Sequence, residues 1–80
     1  MHEWLSAARD RLAEAVGDEP ATYDLREEEI ALLLDLAGTA AHDSGDRTNA
    51  PLTAYLVGLA VGRHGDRTLA DVVEHVTGES

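Results

Sequence analysis

The sequence predicts an all-α fold, a compact bundle of about four helices with two central apolar helices, in a single domain over residues 1–80. Apolar residues recur at spacings of three and four in four segments, which is the period of an amphipathic helix. No segment shows the strict alternation of apolar and polar residues that is typical of a strand. Residues that cap or break helices separate the four segments. A chain of eighty residues is long enough for one core and too short for two.

The first predicted helix runs from about Glu3 to Val16. Gly17 follows it directly and suits the C-terminal cap, because glycine adopts the left-handed conformation without strain. Pro20 then forbids continuation, so residues 18–23 are predicted to form a turn-rich connection. The apolar residues of the helix fall on one stripe, which consists of Trp4, Leu5, Ala8, Leu12, Ala15 and Val16.

The second helix is predicted to begin near Asp24, because Asp24 and Glu27 have the spacing of an acidic capping box. From Ile30 to Ala41 it is apolar nearly all round. Such a helix is buried on most sides, so we expect it to lie at the centre of the bundle. A polar loop over residues 43–49 ends it.

The third helix is predicted to start with Asn49 as its N-cap and Pro51 in its first turn. Leu52, Tyr55, Leu56 and Leu59 make one apolar face. Small residues recur every four positions on another face, and we expect Gly58 among them to permit close packing against helix two. The fourth helix is predicted to start at the cap Thr68 and to end at Gly78.

The net charge of −10 excludes generic binding to nucleic acid, which needs a basic surface. Neither a signal peptide nor a stretch of about 20 apolar residues is present, so we expect a cytoplasmic protein that does not enter a membrane.

The six basic residues are all Arg, and Cys is absent. The missing Lys and abundant Asp are typical of GC-rich codon usage or of a halophile with a salt-rich cytoplasm, and both alternatives stay open.

Asp35 and His42 are polar exceptions on the apolar second helix, and a seven-residue spacing returns them to nearly the same face. A partly buried carboxylate and imidazole on one stripe could bind a polar ligand or share a proton. In the structural alternative, Asp35 faces solvent or pairs with an Arg, while His42 bonds a carbonyl at the helix end. An enzyme that uses this acid–base pair is disfavoured, because few polar groups converge in so short a chain.

The start of the third helix is a second candidate site, because unpaired backbone N–H groups there attract anions. Arg47, Asn49 and Thr53 could complete a phosphate-sized cradle, and the alternative is an ordinary capped turn. The sequence contains no motif typical of a catalytic, metal or cofactor site. We predict no catalytic residue, no metal site and no cofactor. The predicted binding residues are Asp35, His42, Arg47, Asn49 and Thr53.

A core this small contributes only about 3–5 kcal/mol of net stability, and no disulfide can add to it. We therefore expect self-association. The interface of such a homodimer would be formed by Trp4 or by the apolar face of the third helix.

Two segments carry a family resemblance, Leu33-Leu-Asp-Leu-Ala with Ala41-His42, and Ala50-Pro-Leu-Thr-Ala-Tyr-Leu-Val-Gly58-Leu-Ala-Val-Gly62. Over roughly residues 30–62 the sequence resembles a small helical domain of actinobacteria, found alone or fused to molybdenum cofactor guanylyltransferase. Members are often labelled as molybdopterin-guanine dinucleotide biosynthesis proteins. The loop over residues 43–49 departs from the family's short connection rich in Pro and Ala.

The resemblance implies a non-enzymatic accessory or binding module in molybdenum cofactor maturation, which contacts the guanylyltransferase as its protein partner or the product that carries the pterin. Asp35, His42 and the start of the third helix would then line the contact surface. The alternative is a small self-associating structural domain that binds no ligand and whose polar stripe only sets the register of the helices.

Overall fold

Four α-helices and one short 3-10 helix make up residues 1–77, the part of the chain that this computed structural model describes. No strand occurs in this part, so the predicted all-α class with about four helices is confirmed. The helices are α1 (Glu3–Val16), α2 (Glu27–Ser44), α3 (Asn49–Arg63) and α4 (Leu69–Val76), and the 3-10 helix is Pro20–Tyr23.

The predicted bounds of α1 are confirmed, and Gly17 ends it as expected. Gly17 has a φ of 77°, a left-handed conformation that places its N–H on the carbonyl oxygens of Ala13 and Glu14. At the other end, the imidazole of His2 accepts the backbone N–H of Trp4 at 3.3 Å. Hydrogen bonds between neighbouring residues therefore set both ends of this helix.

The connection after α1 was predicted as turns, and it contains the 3-10 helix. Its first residue is Pro20, whose fixed φ suits the start of a helix. Two bonds fasten this segment to the preceding residues: the Tyr23 hydroxyl donates to Asp18, and the Arg9 guanidinium pairs with Asp24. The 3-10 helix packs against α1, and α1 packs against none of the other helices within residues 1–77.

The predicted start of α2 is wrong by three residues, because α2 begins at Glu27 and Arg26 is its N-cap. The carboxylate of Asp24 is engaged with Arg9 and does not cap the helix. Glu29 takes over the capping role, since its carboxylate accepts the backbone N–H of Arg26 at 2.9 Å. This hydrogen bond, together with the guanidinium of Arg26, holds the pKa of Glu29 below its ordinary value.

The core forms where α2, α3 and α4 meet, and each of these helices contributes one buried side chain. These side chains are Leu36, Val57 and Val73. Five half-buried residues surround them: Leu32, Leu33, Val61, Leu69 and Val72. The central position predicted for α2 and α3 is confirmed, because they share the most extensive helix–helix contact within residues 1–77.

Two packing expectations for the central helices are wrong. Helix α2 is not buried on most sides, since Leu36 is 1% exposed but Leu34, two residues earlier, is 69% exposed. Gly58 does not bring α3 close to α2, because it is exposed and a Cβ added to it would meet no atom within 4 Å. The α3 residue in the core is Val57, its immediate neighbour.

The predicted N-cap of α4 is confirmed, because the Thr68 hydroxyl accepts the backbone N–H of Asp71 at 3.1 Å. Gly78, predicted to end this helix, lies outside the described residues. No helix within residues 1–77 has both the length and the apolar character that crossing a membrane requires.

Leu36→Ala is expected to lower the free energy of unfolding by about 2–5 kcal/mol, because it leaves a cavity where three helices meet. Leu34→Ala is the matched control on the same helix, and its exposed side chain predicts a change of about 0.5 kcal/mol or less. Urea denaturation followed by circular dichroism measures both values. Equal losses in the two variants would contradict the assigned core.

Glu29→Gln is expected to destabilise the chain at neutral pH, because a neutral amide is a weaker acceptor for the Arg26 N–H than a carboxylate. The lowered pKa of Glu29 means that its stabilisation is present above the pKa of the unfolded chain and is lost as the pH falls through the folded value. The difference in unfolding free energy between wild type and variant should therefore narrow in acid.

Glu27→Gln is the control for this titration, because it removes the same charge from the same helical turn. Thermal unfolding of the three proteins across the acidic range measures the effect. A pH dependence shared by both variants would assign it to net charge and not to the cap.

Candidate functional site

A groove of about 390 Å³ lies where the C-terminal half of α2, the first turns of α3 and the end of α4 meet. Its apolar lining includes Leu36 from the core and the exposed side chain of Leu56. Hydroxyl, amide and carboxyl groups supply donors and acceptors for a polar ligand. The polar residues that line it are Thr39, Asp43, Ser44, Asn49, Thr53 and Thr77.

The loop between α2 and α3 positions the polar side of this groove. Gly45 ends α2 in a left-handed conformation, with a φ of 73°, and its N–H bonds the Ala41 carbonyl at 3.1 Å. The Asp46 carboxylate then accepts both the hydroxyl and the backbone N–H of Thr48, at 2.7 and 2.9 Å. These two bonds lower the pKa of Asp46 and keep it ionised near the start of α3.

The expectation that Asn49 caps α3 is wrong by one position, because Thr48 is the N-cap and Asn49 is the first helical residue. Asp46 bonds the N–H of Thr48 through its side chain and the N–H of Asn49 through its backbone carbonyl. The half-buried Asn49 therefore lines the groove, together with Thr53 one turn later. Two of the predicted binding residues are thus brought together.

Asp35 lies in an adjoining cavity of about 230 Å³, between α2 and α4. Leu36, Thr39 and Thr77 line both cavities, so the two are neighbours along α2. His42 and Arg47 line neither of them. The structure therefore places Asp35 beside the groove and leaves His42 and Arg47 outside it.

Asp35 and His42 are both exposed, as in the structural alternative in which Asp35 faces solvent, and they do not form a partly buried pair. The His42 side chain is 91% exposed, and its Nδ1 lies 3.4 Å from the carboxylate of Asp43. It therefore meets a neighbouring side chain at the helix end and not a carbonyl. Seven residues separate Asp35 from His42 by about 10 Å along the axis, too far for a shared proton.

Sequence reasoning missed Thr77 and Leu56 as groove residues. Thr77 donates its hydroxyl to the Val73 carbonyl at 3.2 Å, within its own helix. Its place beside Thr39 depends on the packing of α4 against α2, and no local pattern encodes that. The apolar character of Leu56 was visible, but the groove beside it arises from tertiary packing.

Groups of three or more His, Cys, Asp or Glu side chains that could hold a metal ion are absent from residues 1–77. Asp43 is the carboxylate of the groove, and its nearest imidazole, that of His42, lies in solvent. The groove can therefore offer hydrogen bonds and one negative charge to a ligand, over an apolar surface supplied by Leu36 and Leu56.

Fold and groove together define a small all-α domain that has a mixed polar and apolar surface site. The chain belongs to the DUF6457 family, a domain of unknown function, whose sequence profile matches residues 1–79. The match includes α1 and α4, beyond the segments that carried the resemblance. No curated protein and no solved structure matches the chain.

Asp35→Asn and His42→Gln are expected to change the free energy of unfolding by about 0.5 kcal/mol or less, because both side chains are exposed. Urea denaturation of each variant beside the wild type measures this change. A large loss in either variant would show that the side chain supports the fold. It would then be unsuitable as a probe of binding.

Proposed function

We propose that this chain is a non-enzymatic binding module that contacts a protein partner through the groove between α2, α3 and α4. The observation that carries the proposal is the convergence of Asn49, Thr53 and Thr39 around an apolar lining. Grooves of this mixed character suit a peptide segment, because apolar contact provides affinity while placed polar groups fix its orientation.

We further propose molybdenum cofactor guanylyltransferase as the partner and the cytoplasm as the place where they meet. The support is the resemblance over residues 30–62 to domains that are fused to this enzyme. Asp35 and Thr53 are among the residues that carry the resemblance, and they line the two adjoining cavities. His42 and Arg47 extend the proposed contact surface beyond the groove, since both are exposed, His42 in the last turn of α2 and Arg47 in the loop that follows.

A self-associating structural domain without a ligand is the second candidate function. The large apolar side chains that α3 exposes favour it, because an exposed patch of this kind marks an interaction site. In this case, substitutions in the groove would change stability or oligomeric state and would leave binding of the guanylyltransferase unaffected.

Isothermal titration of the purified guanylyltransferase from the same organism with the full chain tests the proposal. We expect the double variant Asn49→Ala, Thr53→Val to bind about tenfold more weakly, because two hydrogen-bonding groups of the groove are lost. Thr22→Val is the matched control, since Thr22 is exposed on the 3-10 helix and lines neither cavity. Circular dichroism confirms that each variant is folded.

Absence of binding by the wild-type chain would overturn the choice of partner. Binding that the double variant and Thr22→Val retain equally would overturn the groove as the contact surface.

A further inference from the structure

Helix α3 has two apolar faces, and one of them points away from the core. Val57 and Val61 face inward, towards α2 and α4. On the opposite side, four large apolar side chains are between 45% and 66% exposed. An α-helix rotates by about 100° per residue, and on this basis the four side chains lie within an arc of about 100° around the helix axis. We name this set the outer face of α3: Leu52, Tyr55, Leu56 and Leu59.

The outer face of α3 is uncharged in a strongly acidic chain. None of the sixteen carboxylate residues lies within Asn49–Arg63, whereas each of the other three α-helices carries at least two. Interface centres are depleted of charged residues, and a second acidic chain is repelled least where carboxylates are absent. The outer face of α3 is therefore the surface of the chain that opposes an acidic second copy least.

Helix α1 has an apolar stripe that is also uncovered. Trp4 is 69% exposed, and Leu12 and Val16 are exposed further along the same stripe. The 3-10 helix packs against the other side of α1, where Ala13 is fully buried. Among residues 1–77, no hydrogen bond or ion pair joins residues 1–25 to residues 27–77. The stripe is thus available to another molecule.

The two uncovered surfaces lie on helices of similar length. Helices α1 and α3 have 14 and 15 residues, so both are about 21–23 Å long. A stable interface buries about 800 Å² on each partner, more than four side chains of one helix provide. An interface that includes both α1 and α3 from each of two copies comes closer to that area. Trp4 supplies the aromatic anchor that such interfaces favour.

The small core is an independent reason for a second copy. Within residues 1–77, the buried apolar residues are Ala13, Leu36, Val57 and Val73. Chains of this size often add a disulfide, a metal or an oligomeric interface to such a core, and this chain has no cysteine that could form a disulfide.

We propose that two copies of this chain form a two-fold symmetric dimer in which α1 of each copy packs on the outer face of α3 of the other. In this arrangement a single interface covers the α1 stripe and the outer face of α3 in both copies. The two α1–α3 contacts are identical, as two-fold symmetry requires. Arg11, which makes no ion pair within residues 1–77, borders the α1 stripe and offsets part of the negative charge that α1 brings to the contact. This proposal does not depend on the guanylyltransferase, and Leu56 belongs both to the outer face of α3 and to the groove, so the dimer would cover the groove at that residue.

Sedimentation equilibrium of the full chain tests the dimer. The wild type is expected to have twice the mass of one chain, 8.6 kDa. Trp4→Lys and Tyr55→Glu should each raise the dissociation constant at least about tenfold, because each places a charge in both contacts. Leu34→Glu is the control, since Leu34 is as exposed as Trp4 and lies on neither surface. Circular dichroism checks that all variants keep their helices.

Mixing the Trp4→Lys and Tyr55→Glu chains tests the reciprocal contact. Their heterodimer has one α1–α3 contact in which both residues are native and one in which both are substituted, with Lys on α1 and Glu on α3. The mixture should therefore dimerise more tightly than either variant alone. A monomeric wild type would overturn the dimer. A dimer that Tyr55→Glu breaks and Trp4→Lys leaves intact, or a mixture without rescue, would overturn the role of α1.

Discussion

The contact between Leu36, Val57 and Val73 is the constraint on which the arrangement of α2, α3 and α4 depends. Each helix contributes one of these side chains, and no buried polar group within residues 1–77 adds a directional bond between them. Burial of apolar surface is therefore what holds the three helices together. The groove follows from this contact, because Leu36 is both a core residue and part of the groove lining.

Elements that depend on local chemistry could be predicted from the sequence. The end of α1 at Gly17 and the cap of α4 at Thr68 need only neighbouring residues, and both are confirmed. The start of α2 could not be predicted in this way. Asp24 has good capping chemistry, but an ion pair with Arg9, fifteen residues earlier, engages its carboxylate. A tertiary contact thus overrode a local preference.

The candidate site was partly predictable for the same reason. Periodicity shows that Asp35 and His42 return to one side of α2, but it does not show which side faces the core. Because α2 is apolar on several sides, the packing of the other helices determines which side is buried, and Leu34 remains exposed. Asn49 and Thr53 were predicted together because both lie at the start of the third helix. Thr77 joins them through packing between helices that are distant in the sequence.

The lack of carboxylates in α3 has a kinetic consequence. Two copies that each carry a net charge of −10 repel one another before they touch, and salt screens this repulsion over about 8 Å at physiological ionic strength. This repulsion lowers the rate at which two copies meet in most orientations, and it lowers that rate least when α3 faces the other copy. Association should accordingly quicken as salt is added, the reverse of the behaviour of oppositely charged partners.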